Sequence, residues 1–347
     1  MVSIIILYIL IALLIFGLLI FIHELGHFLC ARACSVGIKE FAIGMGPKLF
    51  SWTSKKYSTV YGIRLLPIGG YVSMVGEDDE SDAPNSFNKQ KLLKRVCIVL
   101  AGPVMNIILG FILMFVLVIG QKTLLGTTIR AFDESALSSQ KLCVNDQIIE
   151  IENTRVRTFN DIVYEIMHEG NQPIDVTVIR DGKKIVIEDV SFPIYVENGY
   201  EFGHYDFIPF TDEQTMSNYL KHSLSRSIST VKMVFDSIVD MVQGRYGLEA
   251  VSGPVGVTEV IVEAAQTSTY SLLYIVIVIS INLGVFNLIP FPVLDGGRLA
   301  FLVIEGITRK PLKKEVEAYI NFVGMAILFA FMAFIVVKDV FSLFGGI

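Results

Sequence analysis

Four runs of apolar residues dominate this sequence, and each is about as long as a membrane-spanning helix. They cover residues 4–22, 96–119, 272–289 and 318–337. A helix needs about 20 mainly apolar residues to cross the hydrocarbon core of a bilayer. The pattern therefore predicts a polytopic α-helical membrane protein with four transmembrane helices. The 53% share of hydrophobic residues and the 18% share of charged residues agree with this class.

The segment between the first two runs has a different pattern. Residues 37–74 are rich in β-branched and aromatic residues separated by glycines, and Lys55-Lys56 lies between two such stretches. This composition is typical of strands joined by a turn. We expect a membrane-associated β-hairpin region here, and an amphipathic hairpin on the membrane surface is the simplest form of it.

A soluble module is predicted between the second and third runs. Residues 159–168 have a helical pattern, and two alternating runs flank a turn at Asp181-Gly182. Residues 127–193 as a whole resemble a bacterial PDZ domain, an α+β fold, although Asn145 replaces the usual glycine of its Gly-Asp turn. Asn tolerates left-handed backbone, so we expect the fold to be retained.

Residues 216–242 carry apolar positions at helical spacing and predict an amphipathic helix. This helix is either surface-bound or packed on the module, with a plain core helix as the alternative. The expected domains are residues 1–119 (first span, β-rich segment, second span), 120–200 (PDZ domain), 201–270 (extracytoplasmic helical segment) and 271–347 (third and fourth spans).

An HExxH sequence, His23-Glu24-Leu25-Gly26-His27, ends the first apolar run. Four residues make just over one helical turn, so His23 and His27 share a face and can bind one Zn²⁺. Glu24 lies next to them and can accept a proton from the attacking water. HExxH also occurs by chance in ordinary helices. Ionisable residues inside an apolar span are costly, however, so we favour a metal site.

A third ligand must come from elsewhere. His168, His204 and His222 all lie in the polar central region. Cys30 and Cys34 follow the same helical stripe as the two histidines. Because Cys30 starts about 4.5 Å further along the axis than His27, one straight helix does not easily surround an ion with all three. We interpret both cysteines as small core residues.

Asp295 is the best remaining candidate for the third ligand. It follows the third apolar run, among prolines and glycines that break a helix where the backbone must turn toward a site. The alternative is that Asp295 caps a helix beginning near Gly296. Both roles are compatible in a broken membrane helix.

Six motifs are spread over nearly the whole chain: HELGH at 23–27, GMGP at 44–47, PIGGY at 67–71, AGPVMN at 101–106, SGPVG at 252–256 and NLIPFPVLDGG at 287–297. Together they resemble the site-2 protease family of intramembrane metalloproteases, most closely its bacterial regulator-of-sigma-E branch, which carries PDZ modules between the second and third spans. The resemblance implies that His23, His27 and Asp295 bind Zn²⁺, that Glu24 is the catalytic base and that Asn287 lies near the bound peptide.

The same resemblance implies that the hairpin dips into the membrane region. A substrate helix must be unwound before its peptide bonds are accessible, and a sheet edge can supply the lost backbone hydrogen bonds. We expect residues 63–71 to form this edge, with Gly69 and Gly70 as substrate-binding residues.

Basic residues set the orientation. Ten lysines and arginines lie between the first two runs and five between the last two. The positive-inside rule therefore places both segments in the cytoplasm, and both termini and residues 121–270 outside. His23 and Asp295 then approach the membrane from the same side. The N-terminus lacks a basic region, so we expect a retained span rather than a cleaved signal peptide.

Together with the site residues, this resemblance implies a zinc endopeptidase of the bacterial cytoplasmic membrane that cleaves single-span proteins. Such substrates include anti-sigma factors and signal-peptide remnants, already trimmed by an upstream site-1 protease. The net charge of −6 argues against nucleic acid as a partner. The expected partners are the lipid bilayer and the substrate proteins. An inactive PDZ scaffold and a metal transporter are the alternatives. The first would be free to lose Glu24, and the second would need more intramembrane acids.

Overall fold

The computed structural model describes residues 2–77, 81–197, 199–245, 247 and 251–343. The chain divides into two compact units. One unit comprises Met1–Gly110 and Val234–Ile347, and the other comprises Phe111–Met233.

Four helices are long and apolar enough to cross a membrane, as the sequence predicts. Their candidate spans are Leu10–Ala33, Leu92–Ile119, Thr269–Asn287 and Lys314–Asp339. The α-helices of the described residues have the full bounds α1 (Val2–Ala33), α2 (Leu92–Ile119), α3 (Phe159–Glu169), α4 (Met216–Gln243), α5 (Pro254–Thr267), α6 (Thr269–Asn287), α7 (Asp295–Thr308) and α8 (Lys314–Leu343). The third span ends at Asn287, so Asp295 begins a separate helix.

The segment after α1 forms two long, bent strands, β1 (Ile38–Thr53) and β2 (Val60–Met74). Ala42 of β1 is aligned with both Gly62 and Tyr71, and Gly62 is in turn aligned with Ser51. Four stretches therefore lie side by side, in the order 70–74, 38–43, 60–63 and 50–53. The predicted turn at Lys55-Lys56 is confirmed by the gap between the two strands.

The SGPVG motif starts α5, and a buried acid of α8 fixes it. Asp339 is 7% exposed, and one of its carboxylate oxygens accepts hydrogen bonds from the backbone nitrogens of Gly253 and Gly256, each at 3.0 Å. A Cβ on Gly253 would lie 2.5 Å from Ile335. These contacts explain an acid at the end of an apolar span, since burial of a charge is tolerated when hydrogen bonds compensate it.

The second unit is built on a sheet with the strand order β10-β3-β4-β6-β7, and β5 pairs with β4 at its side. Inward-facing apolar residues of this sheet and of α3 form one buried core, including Ile148, Val176 and Ile162. The strands are β3 (Leu124–Phe132), β4 (Gln147–Ile151), β5 (Thr154–Arg155), β6 (Ile174–Arg180), β7 (Lys183–Val190), β8 (Ile194–Glu197), β9 (Tyr200–Gly203) and β10 (Phe207–Asp212). Strand β10 lies beyond residue 200, in the stretch expected to be helical, and it pairs with β3.

Local features of this unit follow the sequence pattern. The helix expected over 159–168 is α3, and the hairpin at Asp181-Gly182 joins β6 to β7. Both turn residues have positive φ, as a tight hairpin turn needs. Asn145 has a φ of 73°, the left-handed conformation expected of it at the glycine position.

The amphipathic helix α4 buries its polar face against α3 within this unit. Ser225 and Ser229 donate hydrogen bonds to Asp161, and Lys232 pairs with Glu165 at 2.7 Å. Several apolar side chains of α4 are exposed instead, including Leu220, Leu224 and Ile228. A plain core helix would show the reverse arrangement, so the expectation of packing on the module is the one that the contacts favour.

Candidate metal centre

The two histidines of the HExxH sequence lie on one buried face of α1. His23 is 9% exposed and His27 is 7% exposed. Their Nε2 atoms are 3.2 Å apart. This is the geometry expected for residues four apart on a helix, and it directs both ring nitrogens at one point.

Asp295 reaches the same point from the first turn of α7. Its Oδ2 atom lies 3.0 Å from Nε2 of His23 and 3.3 Å from Nε2 of His27. Leu294 is the N-cap of α7, so the capping alternative for Asp295 is wrong in this structure. The carboxylate faces the histidines instead.

The chain reaches Asp295 through a turn that only glycine and a strained backbone allow. Val293 has a φ of 80°, which is unfavourable for a β-branched residue. A Cβ on Gly296 would lie 2.1 Å from the carbonyl oxygen of Ile289, and one on Gly297 would lie 2.3 Å from that of Phe291. Gly296 and Gly297 are therefore required for the turn that presents the carboxylate.

The three atoms have the spacing of zinc ligands. An ideal tetrahedral site with metal–ligand bonds of about 2.0 Å separates its ligand atoms by about 3.3 Å. The observed separations are 3.0, 3.2 and 3.3 Å. Oδ2 of Asp295 is buried and accepts no hydrogen bond from the described residues. Two imidazoles and a carboxylate form a donor set common in zinc hydrolases, so these residues fit a zinc ion.

The described residues contain this one group of three or more His, Cys, Asp or Glu ligand atoms at metal-binding spacing. Cys30 and Cys34 are outside it and border the apolar cluster around Ala31 and Ile98, in keeping with their interpretation as core residues.

Helix α2 orients His27 through a contact with Nδ1, the ring nitrogen that does not face Asp295. The Nδ1 atom of His27 lies 2.8 Å from the carbonyl oxygen of Ile98, which can only accept, so Nδ1 carries the proton and Nε2 presents its lone pair. A Cβ on Gly102 would lie 2.2 Å from Nε2 of His27, and one on Gly26 would lie 2.3 Å from the carbonyl oxygen of Ala101. The AGPVMN motif thus provides the space that the imidazole occupies.

We expect Gly102→Ala to weaken zinc binding by at least about tenfold, the low end for a disturbed ligand orientation. The added methyl group would overlap the ring of His27, so the ring and its Nε2 atom must move from the observed position. Zinc affinity of the purified variant, measured by chelator competition, checks this. Gly120→Ala is the matched control, because a Cβ there has its nearest neighbour at 3.4 Å. Equal affinity in both variants would contradict this role of Gly102.

Glu24 lies beside the two histidines and against the end of β2. A Cβ on Gly70 would lie 3.4 Å from Cγ of Glu24, so the side chain of Glu24 packs directly against this residue of β2. Residues 70–74 have a strand partner on one side among the described residues, whereas Ile63 is aligned with both Ile43 and Phe50. The expectation that the edge covers residues 63–71 is therefore wrong at its start, and the edge next to Glu24 begins at Gly70.

Arg64 ties this edge to the rest of the sheet. Its guanidinium donates to Oε1 of Glu40 at 3.0 Å, to the carbonyl oxygen of Gly46 at 2.8 Å and to the hydroxyl of Tyr71. Burial acts to raise the pKa of Glu40, but hydrogen bonds from Tyr71, Lys48 and Arg64 hold that pKa below its ordinary value. The GMGP and PIGGY motifs are thereby joined in one polar cluster.

Two other predicted site residues have local contacts. Gly69 has a φ of 86°, which favours glycine, and a Cβ there would lie 3.0 Å from Met45. Asn287 is the last residue of α6, and its side-chain nitrogen donates to the carbonyl oxygen of Leu283 at 2.9 Å. Contact of Gly69, Gly70 and Asn287 with a peptide stays a prediction.

Sequence reasoning missed the ion pairs that hold α7 in place. Arg298 pairs with Glu77, and Arg95 at the start of α2 pairs with Glu305. Arg95 and Glu305 are each a charged residue in an otherwise apolar stretch, and this is the sequence feature that indicates such a pair. Both pairs fix the helix that carries Asp295.

Four candidate spans, a buried His–His–Asp group and an adjacent glutamate define a membrane metallohydrolase. The sequence model of peptidase family M50 matches residues 11–331, and the chain belongs to this family of zinc metalloproteases. The chain is 36% identical to a protein of Clostridium acetobutylicum with a provisional zinc-metalloprotease name, over 96% of this chain and 97% of that protein. It is 29% identical to the regulator of sigma-W protease RasP of Bacillus subtilis, over 95% and 97% of the two chains. The zinc metalloprotease RasP of Bacillus licheniformis is 28% identical, over 95% and 98%.

Proposed function

We propose that this protein is an intramembrane endopeptidase whose zinc is held by His23, His27 and Asp295. It hydrolyses peptide bonds in or near the membrane-spanning segments of single-span proteins. The observation that carries the proposal is the donor group on a candidate span, with Glu24 and a sheet edge beside it. A scaffold without activity would not need this arrangement.

Zinc, when bound, would supply a Lewis acid that lowers the pKa of a water molecule toward neutrality. Glu24 takes the proton from the attacking water and passes it to the leaving amine. His27 is held in the correct tautomer by Ile98, and Asp295 is held by the start of α7. These residues bring the nucleophile, the base and the substrate bond together.

The substrate segment is presented in an extended form. The edge at residues 70–74 lies next to Glu24, and strand addition there would replace the hydrogen bonds of the unwound helix. Asn287 contacts the bound peptide, and Gly69 and Gly70 let the substrate backbone approach closely. This edge therefore sets both the position and the conformation of the cleaved bond.

Substrates of the proposed class include anti-sigma factors and signal-peptide remnants, after an upstream site-1 protease has removed the ectodomain. The name of the Bacillus subtilis relative, regulator of sigma-W protease, supports the first group. We place the enzyme in a bacterial cytoplasmic membrane, with the active site opening toward the cytoplasm and both termini outside, on the distribution of Lys and Arg.

We further propose that residues 120–200, together with β10, form an extracytoplasmic PDZ domain. The antiparallel sheet with α3 packed on it, the hairpin at Asp181-Gly182 and the left-handed Asn145 support this assignment. The domain either binds peptides by strand addition or excludes bulky ectodomains. The exposed apolar face of α4 rests on the bilayer surface.

If the enzyme must unwind its substrate, Gly or Pro near the cut site should speed cleavage, and a Leu/Ala run of equal hydrophobicity should slow it by about tenfold or more. Pro at a residue that must donate its N–H to the edge should have the opposite effect. Initial rates of matched single-span substrates in bilayers check this. Rates independent of helix stability would refute unwinding and leave zinc hydrolysis standing.

A further inference from the structure

Asn106 is a polar residue that nothing in the fold explains. It lies in the middle of α2, is 0% exposed, and neither Oδ1 nor Nδ2 has a hydrogen-bond partner among the described residues. Buried amides in native proteins almost always have partners, so one without any requires an explanation. Helix packing is not that explanation, because Ser280 of α6 bonds the backbone carbonyl of Asn106 and not its side chain.

The contacts between α1 and α2 fix the level of Asn106. His27 meets Ile98 and Gly102, whereas the preceding residue, Gly26, faces Ala101 and Met105. Residues later on α1 thus meet residues earlier on α2, so the two helices run in opposite directions. Asn106 lies one turn beyond Gly102 on the same face of α2, at the level of the turn of α1 that precedes His27.

His23 is on that preceding turn, and one of its two ring nitrogens is also without a partner. Its Nδ1 atom is buried without a hydrogen bond among the described residues, in contrast to Nδ1 of His27, which is held by Ile98. A histidine that binds a metal through Nε2 needs an acceptor at Nδ1 to fix its tautomer and ring orientation. An amide oxygen is such an acceptor.

We propose that Asn106 is the positioning residue of His23: Oδ1 of Asn106 accepts the Nδ1 proton of His23 and keeps Nε2 directed at the metal. The inference rests on the proposed function, which makes His23 a ligand. Neither Nδ1 of His23 nor the two amide atoms of Asn106 have a hydrogen bond among the described residues, so turning the amide toward the ring breaks none. The side chain of Asn106 also leans back toward the N-terminus of α2, which is the side of Gly102 and the metal centre.

Asn106→Leu and Asn106→Asp test the proposal, with zinc affinity by chelator competition and the visible spectrum of the Co²⁺-loaded protein as readouts. The Leu variant should bind zinc about 10–100-fold more weakly, the usual effect of losing such a partner, and its Co²⁺ spectrum should change. The metal-free Leu variant should melt no lower than wild type, since an apolar side chain replaces an unpartnered amide. The Asp variant keeps the acceptor and should retain affinity.

Ser280→Ala is the matched control, because it removes the bond to the backbone of Asn106 and leaves the amide in place. Wild-type zinc affinity of Asn106→Leu would overturn the proposal. So would loss of zinc from Asn106→Asp, or a metal-free Leu variant that fails to fold, since each assigns another role to the amide. His23→Ala distinguishes failure of the ligand assignment from failure of this inference. If His23→Ala keeps zinc, the ligand assignment itself fails. If it loses zinc while Asn106→Leu does not, only the role of Asn106 fails.

Discussion

Replacement of Glu24 by Gln should lower peptide-bond cleavage by at least about a hundredfold, the low end for a lost general base. Gln has nearly the same shape as Glu and does not accept a proton at neutral pH, so the fold and the zinc content should stay near normal. Zinc is held by other side chains in this account, and the contact of Glu24 with Gly70 is a steric one. The expected phenotype is therefore a loaded, inactive enzyme.

Cleavage of a single-span reporter by purified protein in detergent, together with zinc content, measures this effect. Glu315→Gln is a suitable control, because this exposed carboxylate lies in the first turn of α8. It should leave both quantities unchanged. Substantial turnover by Glu24→Gln would assign the base to another residue.

Asp295→Ala should lose zinc or bind it at least about a hundredfold more weakly, because two imidazoles from one helix leave a tetrahedral ion incompletely held. Cys30→Ala and Cys34→Ala should retain about one ion per chain, since their sulfur atoms are outside the donor group. The metal content of the purified variants, measured by mass spectrometry, shows whether Asp295 or a cysteine is the third ligand. An empty cysteine variant alongside a loaded Asp295→Ala variant would reverse the ligand assignment.

The spans and the HExxH residues could be predicted because their signals are local. Twenty apolar residues specify a membrane helix, and a spacing of four places His23 and His27 together whatever the rest of the chain does. Asp295 could be identified only by elimination and by resemblance. The carboxylate of Asp295 reaches the two histidines only because of the backbone turn at Val293, Gly296 and Gly297. This turn has no simple sequence signature.

The supporting contacts could not be predicted because they join distant parts of the chain. No pattern in the sequence aligns Ile98 with His27 or Asp339 with Gly253. The strand edge was misplaced for the same reason: a bent β1 aligns Ala42 with both Gly62 and Tyr71, and such a register depends on tertiary packing. Strand β10 could not be predicted because its neighbour in the sheet, β3, lies about 80 residues earlier in the chain, with all the other strands of the sheet between them in sequence.

Mapping of the cut position is the decisive test of intramembrane cleavage by this zinc site. Purified protein and a single-span substrate are placed in liposomes, and the new termini are identified by mass spectrometry. If the proposed function is correct, the cuts lie within or at the border of the apolar span, disappear in Glu24→Gln and on zinc chelation, and return when zinc is added. Cuts confined to the soluble flanks of the substrate, or cuts that persist in Glu24→Gln, would contradict it.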